Sequence, residues 1–195
     1  MELIGTIVRL QVQRASLKVG ESPRRRYEPA PLCRVPALST SRAGVSGITE
    51  ASAMVLDVHH QDHPASKNSG GMNGISVGFS SSYQAMRRRF GDHLEDGVAG
   101  ENVLVQTDPR FGEFRPTGPL VVETAEGEHL LLERIVAAEP CVEFSRYALC
   151  YPPDAPSDSQ VSEALSFLRH GMRGYYATYA GEPRLMRLGD RVYLR

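Results

Sequence analysis

The chain has 195 residues, a formal net charge of -1 and 41% hydrophobic residues, enough for one self-sustaining core, and a single domain over residues 1–195 is expected. This balance gives no bulk attraction to nucleic acid or to an anionic membrane surface, and no apolar run reaches the roughly 20 residues that cross a bilayer. Cys33, Cys141 and Cys150 show no metal-type spacing and no apolar leader opens the chain, which together point to a reduced, cytoplasmic protein.

In residues 1–14, Val8, Leu10 and Val12 alternate with Arg9, Gln11 and Gln13, the period of a strand with one buried face. Residues 19–32 are rich in proline and charge and read as a loop, followed by a short strand over 33–38 that Pro36 interrupts. Residues 39–74 hold many Ser, Gly, Asn and His and one apolar patch, Met54–Leu56, so this stretch reads as a long irregular segment and a candidate active-site loop.

Ile75, Val77 and Phe79 alternate as a strand. Ser81, Ser82, Tyr83 and Gln84 then have the form of a capping box, with Tyr83, Met86 and Phe90 on one helix face and Gly91 as the stop. Val103 with Val105, residues 120–122 and residues 130–137 predict further strands, separated by turns at 107–119 and 125–128. Asp158 and Ser159 can cap a helix with Val161, Ala164, Leu165 and Leu168 on one face, ending at Arg169, His170 and Gly171. Tyr175–Tyr179 and residues 184–188 flank a turn at 180–183, and Gly189-Asp190 leads into a last strand ending at Leu194. Many short strands with few, short helices predict a mostly β barrel or sandwich.

Four segments occur in one order: Gly97-Val98-Ala99-Gly100-Glu101-Asn102-Val103, Glu139-Pro140-Cys141-Val142-Glu143-Phe144, Gly171-Met172-Arg173-Gly174 and Arg187-Leu188-Gly189-Asp190. In this order they resemble the Gly-Glu-Asn strand start, the Pro-Cys-x-x-Phe cysteine motif, the Gly-x-Arg-Gly segment and the closing Gly-Asp turn of the MOSC domain, the C-terminal module of molybdenum cofactor sulfurases. The chain is similar to a stand-alone, bacterial-type member, with its core motifs over about residues 44–195. The family's Gly-Asp-x-His region matches Leu56-Asp57-Val58-His59-His60, with Leu in place of the leading Gly, followed by Gly70-Gly71; a competing register puts Gly44-Val45-Ser46-Gly47 at this motif.

The resemblance implies a closed or partly open β-barrel that binds a molybdenum-pterin cofactor, with Cys141 as metal ligand and catalytic residue. It implies an oxidoreductase acting on N-hydroxylated or related small molecules, with electrons from a partner protein. A sulfur carrier that uses a Cys141 persulfide from a donor enzyme, and a non-catalytic ligand-binding barrel, stay open beside it. A thiolate is the form of cysteine that ligates a soft metal or carries sulfur. Asp57, His59, His60 and His63 crowd into one short stretch, with Asp57 and His59 expected to serve proton transfer. Gly100, Glu101 and Asn102 are expected to touch the cofactor, or Glu101 and Asn102 instead to hold the loop that carries Cys141, and Arg173 and Arg42 are expected to pair with the cofactor phosphate. Arg87, Arg88 and Arg89 fall on consecutive helix positions and read as solvent-facing. Pyridoxal phosphate is not expected, because the only lysines, Lys18 and Lys67, stand in no matching motif.

Overall fold

In chain order the strands are β1 (Glu2–Gln13), β2 (Lys18–Val19), β3 (Arg26–Tyr27), β4 (Leu32–Arg34), β5 (Ala37–Ser41), β6 (Gly44–Ile48), β7 (Met54–Leu56), β8 (Ile75–Phe79), β9 (Val103–Thr107), β10 (Leu120–Glu123), β11 (His129–Ala137), β12 (Tyr175–Tyr179), β13 (Arg184–Arg187) and β14 (Arg191–Leu194). The helices are α1 (Ser80–Phe90), α2 (Val142–Ala148) and α3 (Ser159–Leu168). The computed structural model describes residues 1–22, 24–68, 73–152, 155 and 158–195, so the Gly70-Gly71 pair lies outside the described residues. With 37% of the described residues in strands and 17% in helices, a 3-10 turn at Pro109–Phe111 included, the expected mostly β architecture is found. None of the described helices is long and apolar enough to cross a membrane.

Seven strands close a barrel in the order β14, β10, β11, β12, β8, β9, β1, with β1 returning to β14. β1 achieves closure because it is long enough to pair in succession with β14, β9 and β4. Register shifts between Leu3 and Gly5 and between Ile7 and Arg9 change the phase of β1, so Ile4, Ile7, Leu10 and Val12 are buried while Val8 is 44% exposed. Plain alternation had put Val8 on the buried face; the bulge turns it outward, and such bulges supply the bend a closed barrel needs.

β8 and β9 pair in parallel, a geometry that no hairpin can connect. The crossover is made by α1 and the loop after it. The expected capping box does not form: α1 begins at Ser80 without a side-chain cap. Its serine hydroxyls are used sideways instead, Ser80 Oγ accepting from Thr107 N at 3.0 Å and Ser81 Oγ from Phe114 N at 3.2 Å. α3 follows expectation, with Asp158 accepting from Val161 N at 2.9 Å and with His170 and Gly171 both at positive φ beyond its end.

The first half of residues 39–74, as far as Leu56, contains three strands, which corrects the irregular reading there, while residues 57–68 are irregular as expected. β5, β6 and β7 form a meander completed by β13. Their Ser, Thr and Gly content hides the strand period, yet Gly47 has a packing reason, since a Cβ there would lie 2.7 Å from Val35 Cγ1. The turn at 180–183 crosses between sheets, because β12 pairs with β11 and β8 whereas β13 pairs with β5. The supposed loop 19–32 holds the small ribbon of β2 and β3.

Two apolar clusters follow from this topology. One fills the barrel, and includes Ile7, Leu10, Val77, Phe79, Val105 and Leu132. The other lies between the barrel and the helices, where Tyr83 and Met86 of α1, Phe144 of α2, Leu168 of α3 and Tyr27 of β3 meet. Tyr27 packs edge-on against Phe144 at 4.9 Å between centroids, and truncating such a buried ring costs about 3–5 kcal/mol.

Candidate functional site

A cavity of about 460 Å³ opens between this second cluster and the barrel, within the size range of small-molecule sites. Of the residues singled out in the sequence, His59, Gly100, Glu101 and Arg173 line it. Asp57 and Asn102 stand in buried positions supporting it, Cys141 adjoins Arg173, and Arg42 lies elsewhere.

Asp57 is fully buried at the end of β7 and accepts four hydrogen bonds. Oδ2 accepts from Gln13 N at 2.7 Å and Asn102 Nδ2 at 2.8 Å; Oδ1 lies 2.9 Å from both His59 N and His59 Nδ1. With Asp57 accepting, Nδ1 of His59 carries the proton and Nε2 is the ring nitrogen left to act as acceptor or base. The His59 ring is further set against Tyr176, 6.1 Å between centroids. His60 and His63 do not join this pair. Their Nδ1 atoms accept from Asp62 N at 3.2 Å and Ala65 N at 3.1 Å, and so serve their own turns.

The Gly97–Asn102 loop is pinned by glutamines on β1. Gln11 Nε2 donates to Gly97 O at 2.7 Å and Glu101 O at 2.8 Å, and Gln13 Nε2 donates to Gly100 O at 2.6 Å. Gly100 has φ +96, and a Cβ there would lie 2.6 Å from Leu17 Cδ1. Asn102 spends both ends of its amide on protein: Oδ1 accepts from Ser76 N at 3.0 Å and Ser76 Oγ at 2.8 Å, while Nδ2 donates to Asp57 and, at 3.2 Å, to Gln11 O. It is a structural tie joining β1, β8 and Asp57, and none of these bonds reaches the loop that carries Cys141.

Glu101 differs, because one of its oxygens is bare. It is 3% exposed; Oε2 accepts from Tyr83 OH at 2.9 Å, and Oε1 is buried with no hydrogen-bond partner. Burial pushes its carboxyl up to about 7 from 4.5, against the opposing pull of its own backbone N–H, Tyr83, Arg173 and Arg9.

Arg173 follows α3 and reaches back across the cavity wall. Nη2 donates to Ala99 O at 3.1 Å, Nη1 points to Glu139 O at 3.3 Å and to Cys141 Sγ at 3.9 Å, and the guanidinium covers the Phe144 ring at 4.7 Å. Its Nε is buried and unpartnered. Burial works against its charge, yet neighbouring Tyr27, Cys141, Tyr176 and Glu101 raise its pKa above the ordinary value.

Cys141 is half-buried at the N-cap of α2, at the end of the short loop that follows β11. The helix turns the thiol between Arg173 and Glu143. Burial opposes the Glu143 charge, but its own backbone N–H, Lys18, the Cys141 thiol and Arg25 hold its carboxyl below the usual range.

Arg42 is corrected as a cavity residue: its Nε donates to Ala180 O at 2.5 Å, away from the lining side chains. Lys18 and Lys67, by contrast, both line the cavity although no motif contained them. Their scarcity was the available signal, since the only two lysines of the chain converge on one cavity. Tyr83 was legible only as an apolar helix-face residue, whereas its hydroxyl is what reaches Glu101.

No family model matches the chain, and neither does any curated protein. Among solved structures, the YuaD protein from Bacillus subtilis aligns with a TM-score of 0.59 at 14% identity, over 97% of this chain and 94% of its own. A structure described as a hypothetical protein aligns with a TM-score of 0.56 at 10% identity, over 99% of this chain and 69% of its own. At such identities the likeness extends to the fold alone.

Proposed function

We propose that the chain is a MOSC-type protein whose cavity binds a molybdenum-pterin cofactor, with Cys141 as the metal ligand, and that it acts as an oxidoreductase on N-hydroxylated or related small molecules. The observation that carries this reading is convergence. Gly100-Glu101, Arg173 and His59 come from segments far apart in sequence and line one cavity, with Asp57 buried behind His59 and the Cys141 thiol 3.9 Å from Arg173.

The residues present fit such a group. Arg173, Lys18 and Lys67 supply positive charge for a phosphate, and the unpartnered Arg173 Nε and Glu101 Oε1 are buried polar atoms that a ligand can satisfy. Gly100 lets the backbone approach closely, since it lacks the Cβ that would fill this corner. When bound, the cofactor supplies the two-electron chemistry. The protein's own part is to hold the thiol beside Arg173, to exclude bulk water with Tyr27 and Tyr176, and to accept or return a proton at His59 Nε2, with Asp57 fixing the ring. Electrons come from a partner protein in this reading.

Metal and pterin analysis tests it, using protein from a host proven to make molybdenum cofactor, with Cys141→Ala alongside. Near-stoichiometric molybdenum that is lost in the variant is expected. Absence of metal from both samples overturns the reading; labelled sulfur accepted at Cys141 would then identify a sulfur carrier, and neither metal nor sulfur a plain ligand-binding barrel.

A further inference from the structure

The proposed function gives Glu101, an acid of the cavity wall, a contact with the ligand but no part in proton transfer. Apart from its own backbone N–H, the Glu101 carboxyl has one hydrogen-bond donor: Tyr83 OH donates to Oε2 at 2.9 Å, and the same hydroxyl oxygen accepts from Ala99 N at 3.0 Å. The single tyrosine proton is therefore committed to Glu101, and the hydroxyl is locked in place by the backbone. Space for the carboxyl is created by Gly78 on β8, where a Cβ would lie 2.4 Å from Oε1.

Hydrogen-bond accounting then bears on the protonation state. A carboxylate with one buried, bare oxygen lacks the donors that ionisation requires, whereas a carboxylic acid with the proton on Oε1 has one donor free to give. The charged and titratable groups around it are Arg9 of β1, Tyr27 of β3, Tyr83 of α1 and Arg173. Burial outweighs the two cations and brings the carboxyl to about 7, where acid and conjugate base are both populated in neutral solution.

We propose that Glu101 is the acid of this cavity, transferring its Oε1 proton to a basic nitrogen or oxygen atom at the buried end of the bound molecule, with Tyr83 and Ala99 N as the groups that position it. The inference rests on the reading that the cavity takes up a small molecule. In the step, the Oε1–H bond breaks and a bond from that hydrogen to the ligand atom forms. The electron pair stays on Glu101, whose carboxylate keeps the Tyr83 hydrogen bond and faces the Arg173 charge. Water at the cavity mouth then restores the proton. A neutral or anionic ligand with an acceptor atom at its buried end is the class this geometry selects.

Two measurements on the cofactor-free, wild-type protein decide the matter. Carbon-13 labelling of glutamate carboxyls, followed by NMR from about pH 5 to about pH 9, is expected to show one resonance with a midpoint within about one unit of 7. That resonance disappears in Glu101→Gln and moves to a higher midpoint in Tyr83→Phe, which removes a bond favouring the charged form. A midpoint below about 5 for Glu101 overturns the proposal, since that is ordinary for an ionised glutamate.

The second measurement asks whether the acid communicates with the cavity. A small uncharged carbodiimide should modify Glu101 at pH about 6 and about tenfold more slowly at pH about 8, as the protonated fraction falls, with mass spectrometry locating the adduct. No adduct at either pH, while exposed glutamates react, makes Glu101 a sealed structural acid and ends the proposal. Both experiments are independent of metal, so the acid can fail while molybdenum is retained, and molybdenum can be absent while the acid behaves as proposed.

Discussion

Arg173 Nη1 stands 3.9 Å from the Cys141 sulfur across 32 residues of chain, with the guanidinium laid over the ring of Phe144, the last residue of the cysteine motif. Two sequence motifs thus share one plane of contact. The planar fork is what allows simultaneous stacking and hydrogen bonding to Ala99 O and Glu139 O.

Arg173→Lys keeps the charge and loses the plane. It is expected to lower stability by about 1–2 kcal/mol in urea unfolding, from the lost cation–π contact and hydrogen bonds, and to reduce the molybdenum and pterin content of protein made in a competent host. Arg42→Ala, whose guanidinium serves Ala180 O outside the cavity, should change stability by less than about 0.5 kcal/mol and leave that content unaltered. Equal effects of the two substitutions would contradict the placement of the anion site.

Asp57→Asn replaces an acceptor of four hydrogen bonds with an amide that must turn two donors toward donors. A loss of about 2–3 kcal/mol is expected in urea unfolding. NMR of the His59 ring should also show its Nδ1–H no longer fixed. A cost near zero would mean that Asp57 does not hold the cavity wall.

Glu101 makes stability depend on pH with a definite sign. Its folded-state pKa of about 7 lies above the ordinary 4.5, so the folded protein binds the proton more tightly. The contribution is fully present below pH 4.5 and is lost as pH rises through about 7. Between these limits the difference in unfolding free energy between wild type and Glu101→Gln should shift by about 3 kcal/mol against the wild type. Parallel stability curves for the two proteins from about pH 5 to about pH 8 would refute it.

Gly174→Ala tests how Arg173 is delivered. Gly174 has φ +102, and a Cβ there would lie 2.8 Å from Val77 O, a backbone atom of the barrel that cannot swing aside. The strain of the left-handed region alone costs about 1–2 kcal/mol, and the collision adds to it. A fall in melting temperature accompanied by reduced cofactor content is expected; Gly127→Ala, at φ +79 with nothing within 4 Å, isolates the conformational part.

How far the sequence could be read depended on what each side chain was doing. Val103, Val105, Val161 and Leu168 were legible because their apolar period coincides with the packing they make. Val8 was not, because a bulge is a property of pairing with β9 and leaves no mark on the alternation of β1 itself. β6 and the latter part of β5, beyond the strand expected over 33–38, escaped notice because Ser39, Thr40 and Ser46 carry the backbone ladder without apolar side chains, and the crowded Gly47 looks like a loop residue until Val35 is placed beside it. Crowding with Asp57, His60 and His63 brought out His59 as a candidate, and the resemblance brought out Arg173. It could not reveal that Lys18 and Lys67 meet at the same cavity, or that Tyr83 aims its hydroxyl at Glu101, since both facts are created by the closure of the fold.

The pairing of Glu2 with Leu194 has a consequence for the order of assembly. A growing chain that has left the ribosome as far as β12 holds most of the barrel's apolar staves with a slit between β1 and β10, where β14 belongs. Such an intermediate exposes two unpaired strand edges and a wet interior until the final strand emerges. Closure therefore waits for β14, the last of the seven staves to be made, and the interval before it pairs with β1 is when this barrel most needs a chaperone.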